Sequence, residues 1–344
     1  MILGIESSCD ESAIALFDRE RGLVGEWVST QIALHAEYGG VVPDLASREH
    51  LNNFGPLLSE METKFGLDVI TEIAVTVGPG LAGCLAMGIA VADSLSVALG
   101  APVRPVNHLR AHAHSVFISK YEDGPSDFDL EVEKLLPHLS LIVSGGNTIL
   151  ASIDGDRQIR VLGQTIDDAA GEALDKGAKL LGLGYPGGPK MEEWSQKGDS
   201  NAYDFPRALL HKPNFDFSFS GLKTSLRYAL DKLDDSEIDS GLADICASYQ
   251  EAVVDALIRK ASKALKTDAF RSIGLSGGVS NNQLLRSRFE GLAKKSKVEC
   301  FLAQRKHTGD NAGMIAFSHV FDNCAENAFE SDILPGLTIE QKIS

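Results

Sequence analysis

The sequence predicts an α/β fold built as two similar subdomains, and three observations carry that prediction. Strand-like and helix-like runs alternate through most of the chain, the pattern of at least partly parallel sheets. The 344 residues exceed what one core usually serves, at roughly 150 residues per domain. Two hairpin-like stretches with small polar turns stand in the two halves of the chain, a sign of internal duplication.

The elements follow in order. Residues 2–5 and 13–17 read as two strands around the polar turn "ESSCDES". "EIAVTV" (72–77) is a buried-strand run, and "GPGLAG" leads into a small-residue helix over 81–99. "APVRPV" precedes "NHLRAHAH", with Asn107 as the helix N-cap. Residues 120–137, charged and proline-punctuated, read as a loop near the domain boundary. "LSLIV" (139–143) and "TILASI" (148–153) form the second hairpin around "SGGN". A helix over 167–182 ends in the glycine-rich "GLGYPGGP", and 183–240 reads as irregular. A long helix over about 242–266, the strand "SIGLS", the turn "GGVSNN", a helix over 282–295, the strand "ECFLA" and a last helix opening at "GDNAGMIAF" complete the chain.

Bulk properties exclude several classes. The apolar run between Leu81 and Leu99 carries Gly83, Gly88 and Asp93 and falls short of the roughly 20 residues of a membrane span. "MILGI" has no basic segment before it, so no leader is read and a cytoplasmic location is expected. Cys9, Cys84, Cys246, Cys300 and Cys324 are odd in number and scattered, which fits reduced thiols. A formal charge of −16 argues against a large autonomous nucleic-acid surface. The basic stretches Arg259 to Lys266 and Arg286 to Lys297 read as solvated helix faces.

Chemistry concentrates in a few places. His108 and His112, at i and i+4 on a helix, project from one face as a chelate for a divalent metal; His114 points elsewhere. A zinc protease of the HExxH type needs a glutamate after the first histidine, and Leu109 stands there, so proteolysis is rejected. "SGGNT" and "SGGVSNN" put paired glycines after hydrophobic strands, where backbone N–H groups can approach an anion. Neither matches a dinucleotide or P-loop fingerprint. A polar hairpin, a Ser-Gly-Gly hairpin and a late strand-GG-helix turn, in that order, have the layout of the actin-like ATPase (ASKHA) superfamily. There the two subdomains flank an interdomain cleft. A kinase or ATPase of that fold is one rival reading.

The stretches "GIESSCDESAIAL", "GGVVPDLASREHL", "VGPGLAGCLAMGIAVA", "NHLRAH", "VSGGNT", "DDAAGEALDKGAKLLGLGYPGGP", "FSFSGLKTS", "GLSGGVSNNQLLR" and "HTGDNAGMIA" resemble, in order and spacing, the TsaD (Gcp) family of tRNA threonylcarbamoyltransferases, in its bacterial or mitochondrial type. The resemblance implies an actin-like fold, with residues 1–105 and about 306–330 in the first subdomain and 106–305 in the second. It also implies transfer of a threonylcarbamoyl group from threonylcarbamoyl-AMP to N6 of the adenosine 3′ of the anticodon, in tRNAs reading codons that start with A. The family's metal ligands fall on His108, His112 and Asp310, for Fe(II) in preference to Zn(II). Its contacts to the acyl-adenylate, or to ATP or AMP, fall on Ile142, Val143, Ser144, Gly145, Gly146, Asp175, Gly188, Glu192 and Asn282. Asp10 and Glu11, in the first hairpin turn, are catalytic candidates for orienting the nucleophile or relaying its proton; turn capping is the plainer role. His114 and His307 read as structural, and Lys223 as a solvated loop lysine.

The implied partners are tRNA, bound with partner help, a TsaB-like actin-fold subunit and a TsaE-like P-loop ATPase; a homodimer is a further expectation, and no membrane is involved. Two positions depart from the bacterial pattern: Arg110 stands in the middle of the histidine motif and Asn147 after the double glycine. Arg110 bears on the surroundings of the metal. The alternative function is therefore a nucleotide-binding paralogue, an ATPase or a scaffold subunit without transferase activity.

Overall fold

The computed structural model describes residues 1–322 and 332–343. The first part of the chain forms β1 (Ile2–Glu6), β2 (Glu11–Asp18), β3 (Gly22–Thr30), α1 (Ile32–Ala36), α2 (Pro43–Phe65), β4 (Glu72–Gly78), α3 (Ala82–Leu99), β5 (Val103–Asn107), α4 (His108–His114), α5 (Ile118–Asp123) and α6 (Phe128–Leu135). There follow β6 (His138–Val143), β7 (Thr148–Ile153), β8 (Ile159–Gln164), α7 (Ala170–Leu180), α8 (Gly187–Ser195), α9 (Ser220–Leu230), α10 (Asp235–Ala264), β9 (Ser272–Ser276), α11 (Gln283–Ser296), β10 (Glu299–Leu302) and α12 (Ala312–Asp322).

Two compact units divide these elements. Unit 1 comprises Met1–Lys134, Arg157–Ile159 and the described part of Ala303–Ser344; unit 2 comprises Leu135–Asp156 and Arg160–Leu302. Each holds a five-stranded mixed sheet, in the orders β3-β2-β1-β4-β5 and β8-β7-β6-β9-β10. In unit 1, β2 pairs antiparallel with β1 and β3, while β4 pairs parallel with β1 and β5. In unit 2, β6 pairs antiparallel with β7 and parallel with β9, and β9 pairs parallel with β10. The strands of each unit therefore occur in the same spatial order, so the duplication read from two short hairpins extends to the whole sheet. β1, β6 and β9 are buried along their full length, so their polar members Glu6, His138, Ser140, Ser272 and Ser276 are buried with the apolar ones.

The structure corrects the expected boundaries. The sequence places the crossing between subdomains at 105/106; it lies at 134/135, so α4 belongs to unit 1. The reason is aromatic packing. His114 stacks on Phe321 of α12 with ring centroids 4.2 Å apart, and Tyr121 of α5 packs on Phe17 at 5.3 Å and Phe317 at 5.6 Å. Unit 1 resumes at Ala303, and the expected end near 330 lies outside the described residues, as does Cys324.

Other elements also differ from expectation. The stretch 120–137 holds α5 and α6 because Phe128, Val132 and Leu135 form a buried stripe at helical spacing. The "irregular" 183–240 contains α8 and α9, and α10 begins at Asp235, set by a capping box between Asp234 and Glu237. Within the basic stretch of α10, Lys260 is buried rather than solvated, its Nζ donating to the Asn214 carbonyl at 2.9 Å. Lys223 is exposed on α9. Gly83, Gly88 and Asp93 lie inside the continuous helix α3, which is long and apolar enough by composition to cross a membrane. Here it lies on β4 and α2, burying Cys84, Leu85, Gly88, Ile89 and Ala92 and leaving Ala82, Ala90 and Val97 exposed.

Candidate functional site

The first group of candidate residues forms where β1 and β5 of unit 1 end. Glu6, the last residue of β1, is fully buried, and a buried carboxylate must be satisfied on every side. Its Oε1 accepts from the Ser8 N–H at 2.5 Å; its Oε2 accepts from Thr76 Oγ1 at 2.6 Å and from His108 Nδ1 at 3.0 Å. Burial alone would raise the Glu6 pKa, but the His108 imidazole outweighs it and holds the carboxyl below its usual range. In the same way burial disfavours protonated His108, yet Glu6 and then Asp310 carry it up to about 9.

Helix α4 starts at the end of β5 because Asn107 caps it, its Oδ1 accepting from the Leu109 and Arg110 N–H groups at 3.0 and 3.3 Å. That start puts His108 and His112 on one face. Asp310 reaches the same point from the segment preceding α12: its Oδ1 lies 3.5 Å from His108 Nε2 and 3.1 Å from His112 Nε2. A metal about 2.1 Å from each donor spaces neighbouring donors by roughly 3.0–3.4 Å; Asp310 Oδ1 stands near that separation from both imidazole nitrogens, and the three ligand atoms all lie within 4.8 Å of one another. Glu6 on Nδ1 of His108 is the usual outer support of a metal-bound histidine: with a metal in place it would hold the tautomer that leaves Nε2 as the ligand atom. His112 Nδ1 is buried without a partner among the described residues.

Asp10 and Glu11 stand beside this triad. Burial first, then Asp310 and Asp10, push Glu11 up to about 10. Burial also works to raise Asp310, but His108 and His112 overcome it and bring it to about 2. Carboxyl groups are thus crowded around Asp310, and Glu11 keeps its proton there near neutral pH, a crowding that a bound cation would relieve. The turn is held by His50 of α2, with Nε2 3.0 Å from the Cys9 carbonyl and Nδ1 2.7 Å from Ser12 Oγ. Glu6 and His50 are the residues that sequence reasoning does not single out. The signal for Glu6 was present, as an acidic residue closing a wholly apolar strand.

Arg110 does not approach the donors. Its buried guanidinium forms a bidentate pair with Asp322, Nε to Oδ2 at 2.7 Å and Nη2 to Oδ1 at 2.6 Å. His114, also turned from the triad, is buried with Nδ1 2.9 Å from Ser318 Oγ, and burial drops its pKa to about 3. His307 is buried and depressed to about 4 by the same cause.

The second group lies in unit 2. Ser144 to Asn147 form a tight turn between β6 and β7, with the Ser144 N–H on the Asn147 carbonyl at 2.8 Å and the Asn147 N–H on Ser144 Oγ at 3.0 Å. Gly145 and Gly146 are exposed, so their main chain is accessible to an anion. Ile142 and Val143 are fully buried, which confines any contact there to the main chain. Gly171, in the first turn of α7, packs so closely that a Cβ would meet the Ser144 carbonyl oxygen at 2.5 Å. Gly277, at φ +86°, brings the late GG turn against Val143, whose carbonyl oxygen would lie 2.4 Å from an added Cβ.

Asp175 of α7 uses Oδ1 to accept the Gly187 and Gly188 N–H groups at 2.8 and 3.1 Å, which ties α7 to the start of α8; burial raises its pKa. Glu192 accepts the Gln283 N–H at 2.7 Å. Asn282, which the resemblance implies as a contact to the acyl-adenylate, uses its side chain within the fold: Oδ1 caps α11 at the Leu285 N–H and Nδ2 donates to Gln250 at 2.7 Å. A cavity of about 470 Å³ adjoins these residues, lined by Glu192, Gln250, Gln283 and Arg288 among others. The structure therefore brings together Asp10, Glu11, His108, His112 and Asp310 in unit 1. In unit 2 it joins Asp175 to Gly188 and Glu192 to the residue after Asn282.

Comparison with known proteins places the chain in a family. The family model described as "TsaD: tRNA N6-adenosine threonylcarbamoyltransferase" matches residues 22–317. A tRNA N6-adenosine threonylcarbamoyltransferase from Herminiimonas arsenicoxydans is 42% identical over 320 residues, covering 92% of this chain and 90% of its own. Among solved structures, HypF of T. kodakarensis superposes with a TM-score of 0.57 at 14% identity, over 92% of this chain and 46% of HypF. Component A of the (R)-2-hydroxyglutaryl-CoA dehydratase of Acidaminococcus fermentans does so with a TM-score of 0.52 at 15% identity, over 94% of this chain and 99% of its own. The structural likenesses establish the actin-like ATPase fold, and the sequence match goes further: the chain belongs to the TsaD family, the tRNA N6-adenosine threonylcarbamoyltransferases.

Proposed function

We propose that this enzyme takes the threonylcarbamoyl group from threonylcarbamoyl-AMP and places it on N6 of the adenosine 3′ of the anticodon in tRNAs reading codons that start with A. The observation that carries the reading of the site is the convergence of His108 Nε2, His112 Nε2 and Asp310 Oδ1, backed by Glu6. Two neutral imidazoles and one carboxylate with open positions suit Fe(II), with Zn(II) the alternative. When bound, such an ion supplies Lewis acidity for the carbamoyl carbonyl.

The chain's own residues account for the rest. The Gly145 and Gly146 amides receive the phosphate, and the Asp175 oxygen not used on Gly187 and Gly188 accepts a ribose hydroxyl. The N6 amine attacks the carbamoyl carbon; a C–N bond forms, the bond to the phosphate oxygen breaks, and AMP leaves with the electron pair. Asp10 is the carboxylate assigned to receive the proton of the amine, and Glu11, which keeps its own proton near neutral pH, helps to orient it.

A chain of charge −16 needs help to hold tRNA, which supports TsaB-like and TsaE-like partners and an activity in the cytoplasm, where the tRNA is. The exposed face of α3 offers apolar area for a protein subunit, a second copy of this chain being the other occupant. The test is transfer from threonylcarbamoyl-AMP to tRNA, with and without partner subunits, by wild type and His108→Ala. Loss of at least 100-fold in the variant is expected. Full transfer by the variant would remove the metal from the reading, and no transfer by wild type under any partner combination would favour the nucleotide-binding paralogue or scaffold.

A further inference from the structure

The described C-terminal segment lies across the elements that carry the three donors. Leu334 donates its N–H to the Val77 carbonyl at 2.8 Å, beside the end of β4. The chain then closes a small turn, with the Thr338 N–H on Gln341 Oε1 at 2.7 Å, and buries Ile339 to 2% exposure. Two side chains of the histidine segment receive it. Asn107, already capping α4 through Oδ1, uses Nδ2 to donate to the Thr338 carbonyl at 2.8 Å and the Gln341 carbonyl at 3.1 Å. Arg110 donates Nη1 to the Ile339 carbonyl at 3.3 Å while its other nitrogens hold Asp322.

Asp322 ends α12, the helix whose entry segment carries Asp310, and Arg110 sits between His108 and His112 of α4. One buried guanidinium therefore joins the two elements that supply the donors, and the C-terminal segment locks both Arg110 and the cap residue. We propose that Asn107 and Arg110, with Asp322 and the carbonyls of Thr338, Ile339 and Gln341, are positioning residues that set the separation of Asp310 from His108 and His112, so that the C-terminal segment is part of the metal centre. This rests on the reading that the triad binds a metal. Arg110 is then a device of this chain for holding the site together rather than a defect in it.

The discriminating variant is Asn107→Ser, which keeps an oxygen for the helix cap but is too short to donate to the segment. Arg110→Lys, which replaces a bidentate fork with a point charge, is the second. Co(II), added to the metal-free full-length protein, serves as the probe, read by its affinity and its visible d–d spectrum, with thermal unfolding of the metal-free protein alongside. The expected result for Asn107→Ser is at least a tenfold weaker Co(II) affinity and a shifted spectrum, with an unfolding midpoint close to wild type. Arg110→Lys shows the same change in the same direction. Wild-type affinity and spectrum in Asn107→Ser overturn the proposal, whatever Arg110→Lys does to folding. Failure of wild type itself to take up Co(II) overturns instead the metal reading on which it rests.

Discussion

Replacing Glu6 by Gln keeps the shape of the side chain and removes its charge, which makes the consequence calculable from hydrogen bonds alone. The carboxylate accepts at both oxygens, from Ser8 N–H on one side and from Thr76 Oγ1 and His108 Nδ1 on the other. An amide has one acceptor and one donor end, so each of its two orientations makes one mismatch. With the NH2 toward His108, Nδ1 must become an acceptor, the proton moves to Nε2, and the donor that faces Asp310 is lost. With the NH2 toward Ser8, two donors face each other in a fully buried site, a cost of about 1–3 kcal/mol. Loss of such outer support weakens metal binding roughly 10–100-fold, about 1–3 kcal/mol. Competition with a chromophoric chelator at pH 7.5 measures the affinity, and urea unfolding of the metal-free protein measures the stability. A Glu6→Gln protein that matches wild type in both would refute the assignment of Glu6 as the group that sets the His108 tautomer.

Three further outcomes follow from the same structure. His307, depressed from 6.5 to about 4 by burial, is neutral in the folded protein, whereas the unfolded chain takes up a proton as pH falls below about 6.5. Stability therefore drops on acidification, by about 2 kcal/mol from this residue between pH 7.5 and pH 5, and urea unfolding of His307→Gln at the two values will show the smaller loss. Asp175→Asn retains an oxygen for the Gly187 and Gly188 amides but no second anionic oxygen; calorimetry with AMP should show roughly tenfold weaker binding while the unfolding midpoint stays near wild type. Gly171→Ala forces a methyl against the Ser144 carbonyl and should cost about 1–3 kcal/mol by urea unfolding, with raised amide exchange in residues 144–147.

How much of this was legible in the sequence depended on the range of the interaction. Features fixed by near neighbours were readable: the α4 chelate follows from helical spacing and an N-cap one residue upstream, and the glycine turns follow from strand ends. The grouping of Asp310 with the histidines was not derivable from spacing, because it depends on packing across about 200 residues. It came from the resemblance. The boundary at 105/106 failed for a related reason, since the aromatic contacts that hold α4 and α5 in unit 1 come from Phe317 and Phe321. Arg110 is the sharpest case. Its neighbours in sequence are metal ligands, which made it look like part of their surroundings, while its partner Asp322 lies at the far end of another helix. The helices within 120–137 and 183–240 were obscured by charge and glycine content, although a buried stripe such as Phe128, Val132 and Leu135 was present at the right period.

The repeated strand order has a chemical consequence that neither sheet shows alone. In unit 1 the paired residues Glu6 and Ala13 leave residues 7–12, six in number, for the hairpin turn; in unit 2, Val143 and Thr148 leave residues 144–147, four in number. The longer turn has room for side chains to fold inward, and it presents carboxylates. The shorter one exposes bare main-chain amides. One architectural plan is thereby given opposite polarity in its two copies, acidic in the first and anion-seeking in the second, by a difference of two residues in loop length.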